Sequence, residues 1–149
     1  MIIREFSVYD CPIVSKLFYD TVHSVNKSDY TEHQLTAWAS SPEFLFGKCG
    51  DLEKQKTLIA ENDGIIVGFG SIRGDGYLDY LFVHRDWQRQ GVATIICEEL
   101  ERSFDVVRTH SSITAKKFFE KRGYKVVCEE EVERNGTKLK RYEMRVERG

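Results

Sequence analysis

The segment from Tyr77 to Ser103 constrains the fold more than any other part of the sequence, because a strand there runs through a turn into a helix. Residues 77–83 alternate with the period of a β-strand. The residues predicted to share one face are Tyr77, Asp79, Leu81 and Val83, and those predicted on the other face are Leu78, Tyr80 and Phe82. Residues 91–103 carry the apolar stripe of a helix that packs on a sheet, with Val92, Ile95, Ile96 and Leu100.

The other segments complete an α+β pattern. The further predicted strands are 2–6, 56–61, 65–73, 106–109, 126–132 and 139–146, with helices after Pro12, after Thr31 and from Ala115 to Gly123. Thr31 and Gln34 match a capping box, and Asp63-Gly64 and Asn135-Gly136 mark hairpins. The predicted order is β-αα-βββ-α-β-α-ββ, a three-layer sandwich with helices on both faces of a mixed sheet.

Composition narrows the functional classes. The chain has 149 residues, which we expect to form a single domain over residues 1–149. With 22 basic and 24 acidic residues, the net charge of -2 does not favour nucleic acid as a partner. No apolar run of membrane-spanning length and no secretory leader is present, so no membrane association is expected and the predicted location is cytoplasmic.

The four cysteines are widely spaced and form no C-x-x-C pair. This spacing indicates neither a zinc site nor a redox motif, and we predict buried, reduced thiols and no bound metal.

The turn between Val83 and Thr94 has the properties of an anion site. The first N–H groups of a helix lack internal partners, and the helix dipole places partial positive charge there. Gly91 and Ala93 leave room for a phosphate to approach the backbone, and Arg89 adds a positive charge. Neither the P-loop pattern nor the third glycine of a dinucleotide fingerprint is present. A pyrophosphate group is therefore the predicted ligand, with close packing of helix on sheet as the structural alternative.

Two motifs carry a resemblance to a known family. Gln88-x-x-Gly91-x-Ala93 is similar to the [QR]-x-x-G-x-[GA] pyrophosphate motif of the GNAT acetyltransferases. Residues 115–124, AKKFFEKRGY, are similar to the helix-to-strand segment A-x-x-[FL]-Y-x-K-x-G-[FY] of that family. Both motifs occur in the family's order, and the matching strands and helices cover nearly the whole chain.

The resemblance implies a mixed, mostly antiparallel sheet of six to seven strands, splayed between the fourth and fifth. Acetyl-CoA would lie in that gap as the cosubstrate, with its pantetheine paired to the strand backbone and its pyrophosphate on the helix amides. The implied cofactor-binding residues are Leu81, Phe82, Val83, Gln88, Arg89, Gln90, Gly91, Val92, Ala93, Thr94, Ser112 and Phe119. A backbone N–H near Val83 would stabilise the oxyanion.

Asp79 is the best candidate for a catalytic base, since it is a carboxylate in an otherwise apolar strand, predicted on the face of Val83. The alternatives are a structural hydrogen bond or binding of the acceptor amine without proton transfer. His23, His84 and His110 are weaker candidates, each expected at the surface or in packing.

The chain departs from the family pattern at two positions. Phe119 stands where the family has a tyrosine, so a phenol proton donor for the leaving thiolate is lacking there. Ser112 stands where the family has an asparagine and could still hydrogen-bond the pantetheine with shorter reach. His23, Tyr30 and Trp38 could line an acceptor pocket, or Trp38 could only seal the core.

The sequence thus predicts a transferase that moves an acetyl group from acetyl-CoA to a primary amine by direct attack in a ternary complex. The acceptor, a small molecule or a peptide, is not identified by the sequence, and the oligomeric state stays open with a homodimer as one option. The alternative from another class is a non-catalytic acyl-CoA-binding sensor or scaffold, which Phe119 keeps under consideration.

Overall fold

Seven strands form one mixed sheet in the computed structural model, which describes residues 1–148. The strands are β1 (Ile2–Glu5), β2 (Lys56–Asn62), β3 (Ile65–Ile72), β4 (Tyr77–Val83), β5 (Val106–Ser112), β6 (Lys125–Arg134) and β7 (Thr137–Glu147). They are ordered β1-β2-β3-β4-β5-β7-β6. Only the β4–β5 pair is parallel, and all other neighbours are antiparallel. The predicted α+β fold is confirmed.

Five α-helices cover the two faces of the sheet along the described chain: α1 (Cys11–Val25), α2 (Glu32–Trp38), α3 (Cys49–Lys54), α4 (Val92–Glu101) and α5 (Lys116–Lys121). The apolar residues of α4 and α5 belong to one core, and those of α1, α2 and α3 belong to another. The sequence did not predict α3. The capping box of α2 is confirmed, since the Thr31 hydroxyl accepts from the Gln34 amide and the Gln34 side chain accepts from the Thr31 amide.

Helix α4 lies very close to β3. A Cβ atom at Gly70 would come within 2.8 Å of an Ile96 side-chain carbon, so only glycine allows the helix to approach the strand to this depth. The close packing fixes the start of α4 relative to the centre of the sheet, where the candidate site lies.

The β4–β5 pair opens after a short contact. Only Tyr77 with Arg108 and Leu78 with Thr109 are in register, although both strands continue beyond these pairs. The backbone edge of residues 79–83 that faces β5 is therefore free of that strand. This gap is the predicted splay between the fourth and fifth strands.

An irregularity in β4 overturns the predicted alternation. Ile72 of β3 pairs with Leu78 and Ser71 pairs with Tyr80, so Asp79 is an extra residue in the ladder. As a result Leu78 packs in the α4 core with Val83, while Tyr80 and Phe82 border the other core. The prediction that Asp79 shares a face with Val83 was wrong, because the bulge reverses the pattern between them.

Two of the four cysteines are not free thiols. Cys11 and Cys49 form a disulfide that joins the first residues of α1 and α3, with Cα atoms 6.1 Å apart. Cys97 is a buried free thiol as predicted, whereas Cys128 is free but exposed on β6. The prediction of four buried, reduced thiols was therefore wrong for three of them, because the fold brings together cysteines that are 38 residues apart and leaves Cys128 on an outer strand.

The longest helix between residues 1 and 148 is α1 with 15 residues. None of the helices in this range is both long and apolar enough to cross a membrane.

Candidate active site

The loop before α4 presents an open helix start. Gly91 is the N-cap with φ 83°, a left-handed conformation that favours glycine, and no side chain caps the helix. Arg89 also has positive φ, at 61°. A Cβ atom at Gly91 would meet nothing within 4 Å, so the space beside this residue is open. The free amides and the dipole of α4 thus point into accessible space.

The other motif residues lie around this helix start. Arg89 and Gln90 are exposed, Ala93 and Thr94 are half-buried, and Val92 is buried in the core. The Gln88 side chain is engaged within the protein, because its amide nitrogen donates to the carbonyl oxygen of Val83. That bond connects the loop to the end of β4 and so holds the helix start next to the gap.

The residues of β4 expected near the pantetheine border the gap from opposite faces. Leu81 and Val83 pack towards α4, and Phe82 packs towards α1, with its ring 4.9 Å from that of Phe18. Since side chains leave both faces of the strand, the strand edge between them is what faces the gap. That edge runs from the bulge at Asp79 to the loop before α4.

A cleft of about 910 Å³ opens on the α1 side of the gap. Its aromatic lining residues are Phe18, Tyr30, Trp38, Phe44, Tyr77, Tyr80 and Phe82. Tyr30 and Trp38 therefore line a pocket as the sequence suggested. His23 does not: its Nε2 lies 2.8 Å from the carbonyl oxygen of Ala39, and its ring lies against Tyr19. Apart from the aromatic rings the lining is mostly polar or charged, so the cleft combines aromatic walls with groups that can orient a polar ligand.

Asp79 lies in this cleft with its side chain 19% exposed. Its Oδ2 atom accepts a hydrogen bond of 3.1 Å from Gln55 and lies 3.5 Å from the Arg73 guanidinium. The carboxylate thus faces the cleft.

His110 and Tyr77 also line the cleft, beside Asp79. The sequence expectation placed His110 in packing or at the surface, and it ended the fifth strand at Thr109. In the structure β5 continues to Ser112, and the alternation along it directs Arg108, His110 and Ser112 to the cleft. The missed signal was that the alternation of the fifth strand continues past Thr109 to Ser112. His84 is instead at the loop before α4, where its Nδ1 accepts from the Asp86 amide.

Ser112 ends β5 shortly before α5, and Phe119 lies within α5. The Ser112 hydroxyl accepts hydrogen bonds from the Ala115 amide at 3.1 Å and from the Asn26 side chain at 3.4 Å. Phe119 is 4% exposed, and its ring lies 4.9 Å from that of Tyr124. At Phe119 the chain therefore has a buried hydrocarbon ring instead of a phenol.

Comparisons with known proteins agree with this architecture. The model of the acetyltransferase (GNAT) domain matches residues 26–146. The uncharacterized N-acetyltransferase YafP of Escherichia coli (strain K12) is 32% identical over 143 residues, which are 96% of this chain and 93% of that protein. The crystal structure of a GCN5-related N-acetyltransferase from Rhodopseudomonas palustris aligns with a TM-score of 0.92 at 30% identity, covering 98% of this chain and 94% of that one.

The chain therefore belongs to the GNAT acetyltransferase family, and it is an acetyltransferase. A more distant likeness, at 17% identity and a TM-score of 0.76, is to the PaiA N-acetyltransferase of Thermoplasma acidophilum in complex with coenzyme A. It covers 99% of this chain and 98% of that one.

Proposed function

We propose that the protein transfers an acetyl group from acetyl-CoA to a primary amine, within a single domain spanning residues 1–149. The observation that carries this proposal is the gap between β4 and β5, which leads directly to the uncapped start of α4. A long ligand with a pyrophosphate at one point and an extended, amide-bearing arm fits such a combination. The coenzyme A complex of the PaiA acetyltransferase, which shares the fold, supports the choice of ligand.

Acetyl-CoA would use the free groups of the gap. Backbone amides of residues 89–94 would hold the pyrophosphate, with the Arg89 side chain adding positive charge from the solvent side. The edge of Leu81, Phe82 and Val83 would pair with the pantetheine, except for the Val83 carbonyl oxygen, which already accepts from Gln88, and Ser112 would bond it from β5. The open space at Gly91 supports this fit, since a phosphate that approaches the backbone at the start of α4 needs room there.

The acceptor would enter through the aromatic cleft and meet the thioester where β4 and β5 separate. Acetyl-CoA supplies the thioester whose carbonyl carbon an uncharged amine would attack in a ternary complex. The C–S bond would then break, the attacking nitrogen would lose a proton, and CoA would leave as the thiol. A backbone N–H of β4 near Val83 would stabilise the negative charge on the carbonyl oxygen. Asp79 would bind the acceptor amine as a base or as an ion-pair partner, since it faces the same cleft. The acceptor is a small molecule or a peptide amine.

The test is thermal unfolding with and without acetyl-CoA. At about a hundredfold excess over the dissociation constant, binding should stabilise the wild type by about 3 kcal/mol and raise its Tm by several degrees. Gly91→Glu should abolish this rise because its carboxylate fills the pyrophosphate position. Gly136→Glu is the matched control, since Gly136 also has positive φ (77°) and open space around it but lies in the β6–β7 turn.

A wild-type Tm that does not respond to excess acetyl-CoA would contradict the proposal. Release of free CoA in the presence of a panel of primary amines then distinguishes a transferase from a protein that only binds acyl-CoA. Binding without CoA release from any amine would favour the sensor or scaffold alternative.

A further inference from the structure

Three polar side chains from three different strands meet at the acceptor side of the gap. The Tyr77 hydroxyl on β4 lies 2.7 Å from Nδ1 of His110 on β5. On its other side, His110 Nε2 lies 3.3 Å from a carboxylate oxygen of Glu130 on β6. The Tyr77–His110–Glu130 arrangement is therefore continuous and ends at the cleft, which Tyr77 and His110 both line.

The surroundings of His110 favour the neutral ring. Burial lowers the pKa of the imidazole below its ordinary value of 6.5, and the positive charges of Arg141 on β7 and Arg108 on β5 act in the same direction. The carboxylates of Glu130 on β6 and Glu143 on β7 oppose them without reversing the shift. Tyr77 is the group that faces the ring from β4. His110 is therefore uncharged at neutral pH and able to accept a proton.

The positions of the two partners define which nitrogen carries the hydrogen. A carboxylate can only accept, so the proximity of Glu130 favours a proton on Nε2. Nδ1 then presents its lone pair to Tyr77, and the hydroxyl of Tyr77 donates to it. This leaves a lone pair of the phenol oxygen free to accept a hydrogen bond from a group in the cleft.

Tyr77 cannot serve as a base without its partner. Burial, assisted by the negative charge of Asp79, raises the pKa of the phenol above its ordinary value of 10.0, so a free phenolate is disfavoured. The guanidinium groups of Arg73 and Arg108 lie 4.8 Å and 5.6 Å from the centre of the ring. The hydroxyl is thus fixed in position. It can accept a proton from a group in the cleft only if it passes its own proton to His110.

We propose that Tyr77 and His110 together remove the proton from the acceptor amine, with Glu130 as the residue that positions the imidazole. The proposal rests on the proposed acetyl transfer, and it leaves Asp79 as the ion-pair partner of the incoming ammonium group. In the step, one N–H bond of the ammonium breaks and a new O–H bond forms on Tyr77. The original hydroxyl proton passes to His110 Nδ1, and the amine keeps the electron pair with which it attacks the thioester carbon.

The charges balance across this step. The positive charge moves from the ammonium to the imidazolium, which is then stabilised by Glu130. His110 returns to the neutral form by releasing a proton to solvent. Tyr77 is the catalytic residue that contacts the acceptor. Glu130, whose Oε1 also accepts a 2.7 Å hydrogen bond from Arg141 on β7, acts in this step through His110.

The first test observes the ring directly by NMR of the protein labelled with ¹⁵N-histidine. The chain has 4 histidines, and a His110→Gln variant identifies the signals of His110. We expect a neutral ring with the hydrogen on Nε2 at pH 7 and a titration midpoint below 6.5. Tyr77→Phe should shift the Nδ1 signal, and Glu130→Gln should populate the other tautomer. A hydrogen on Nδ1, or a charged ring at pH 7, would overturn the proposal whether or not an acceptor is known.

The second test is CoA release as a function of pH, with the amine of the panel that reacts fastest. If no amine reacts, hydrolysis of acetyl-CoA is measured, since water must lose a proton as well. The wild-type rate should rise with pH through the His110 titration and then level off. Tyr77→Phe and His110→Gln should lower kcat by about 100-fold or more with little change in the KM for acetyl-CoA, and His110→Gln should remove this titration. Glu130→Gln should lower kcat by about tenfold and move the acidic limb to lower pH.

Tyr19→Phe is the matched control, because Tyr19 also lies against a histidine, His23, but outside the cleft. Its rate should equal that of the wild type. If Tyr77→Phe binds acetyl-CoA normally and keeps the wild-type kcat, the relay is wrong while the acetyltransferase proposal stands. If the wild type does not bind acetyl-CoA, the proposed function fails, and the NMR result still decides whether the relay exists.

Discussion

Gln55 donates a 3.1 Å hydrogen bond to Oδ2 of Asp79, the same oxygen that lies 3.5 Å from the Arg73 guanidinium. Both partners therefore contact one oxygen of the carboxylate. Among the described residues no hydrogen bond reaches the other oxygen, Oδ1. Asp79 is thus held by one oxygen and can offer the second to a cation in the cleft.

We expect Asp79→Asn to lower turnover by about ten- to a thousandfold, because the amide keeps an acceptor for Gln55 but loses the charge that attracts an ammonium group. The KM of the acceptor should rise, and the affinity for acetyl-CoA should not change. Steady-state CoA release measures the turnover and the KM of the acceptor. Asp20→Asn removes a charge from the surface pair with Lys16 and should leave them unaltered. Wild-type kinetics in Asp79→Asn would assign Asp79 a structural role only.

Phe119→Tyr adds one hydroxyl to a ring that is 4% exposed. If protonation of the leaving thiolate limits the reaction, turnover should rise by up to about a hundredfold, since the family pattern places a phenol at this position. If another step limits, turnover should stay at the wild-type level. The measurement is CoA release against pH for both proteins. A marked loss of activity would show that the apolar ring itself is needed.

The buried carboxylate of Glu101 should make the free energy of unfolding depend on pH. It is 5% exposed and accepts hydrogen bonds from Tyr124 and Arg122, with Arg148 at 3.4 Å. Burial acts to raise its pKa, but hydrogen bonds from Tyr124 and Cys97 and the charge of Arg122 outweigh burial, so the pKa lies below 4.5. The folded carboxylate binds protons less readily than the unfolded one. Its contribution is therefore complete above pH 4.5 and is lost as the pH falls through the folded pKa.

Glu101→Gln should accordingly lower the free energy of unfolding by about 3 kcal/mol at pH 7, because it leaves the Arg122 charge without its buried partner. The difference in the free energy of unfolding between this variant and the wild type should shrink towards pH 3. Urea denaturation at pH 7, 4 and 3 measures this, with Glu98→Gln as the control, since Glu98 is 61% exposed and lies 3.9 Å from the same arginine. A difference that does not change with pH would contradict the assignment.

The Cys11–Cys49 disulfide should contribute to stability through the unfolded chain. A bridge between residues 38 apart lowers the entropy of the unfolded chain. In the chain-entropy model this raises the free energy of unfolding by about 3 to 4 kcal/mol. Reduction, or the Cys11→Ser/Cys49→Ser double variant, should lower the free energy of unfolding by that amount. Urea unfolding with and without dithiothreitol tests it. The denatured, unreduced protein should show two reactive thiols, those of Cys97 and Cys128, and a count of four would contradict the bridge.

The local elements were predictable because their signals are local. Asp63-Gly64 and Asn135-Gly136 adopt the positive φ angles that hairpin turns require, and the capping box at Thr31 is formed as its spacing indicates. The fold class followed from the order of these elements and from the resemblance. For the turns and the capping box, the information lies within a few residues of the chain.

The cleft was less predictable because strand register and long-range contacts decide which residues line it. The bulge at Asp79 depends on how β3 pairs with β4, which no pattern within residues 77–83 reveals. Tyr77, His110 and Glu130 are far apart in sequence and meet because the sheet order places β4 beside β5 and β6 one strand further on, so that the contact between His110 and Glu130 spans β7. Similarly, α3 carries only two buried residues, Cys49 and Leu52, too few to produce a helical period.

Only two residue pairs join β4 to β5, fewer than join any other neighbouring strands. This joint separates four strands on one side from three on the other. The hydrogen bond between Tyr77 and His110 crosses the same joint. A slight rotation of one half against the other would change the separation of these two side chains while leaving every hairpin intact. A ligand bound in the gap would therefore set the distance between the two halves of the sheet. Its width would in this way determine the separation of Tyr77 and His110.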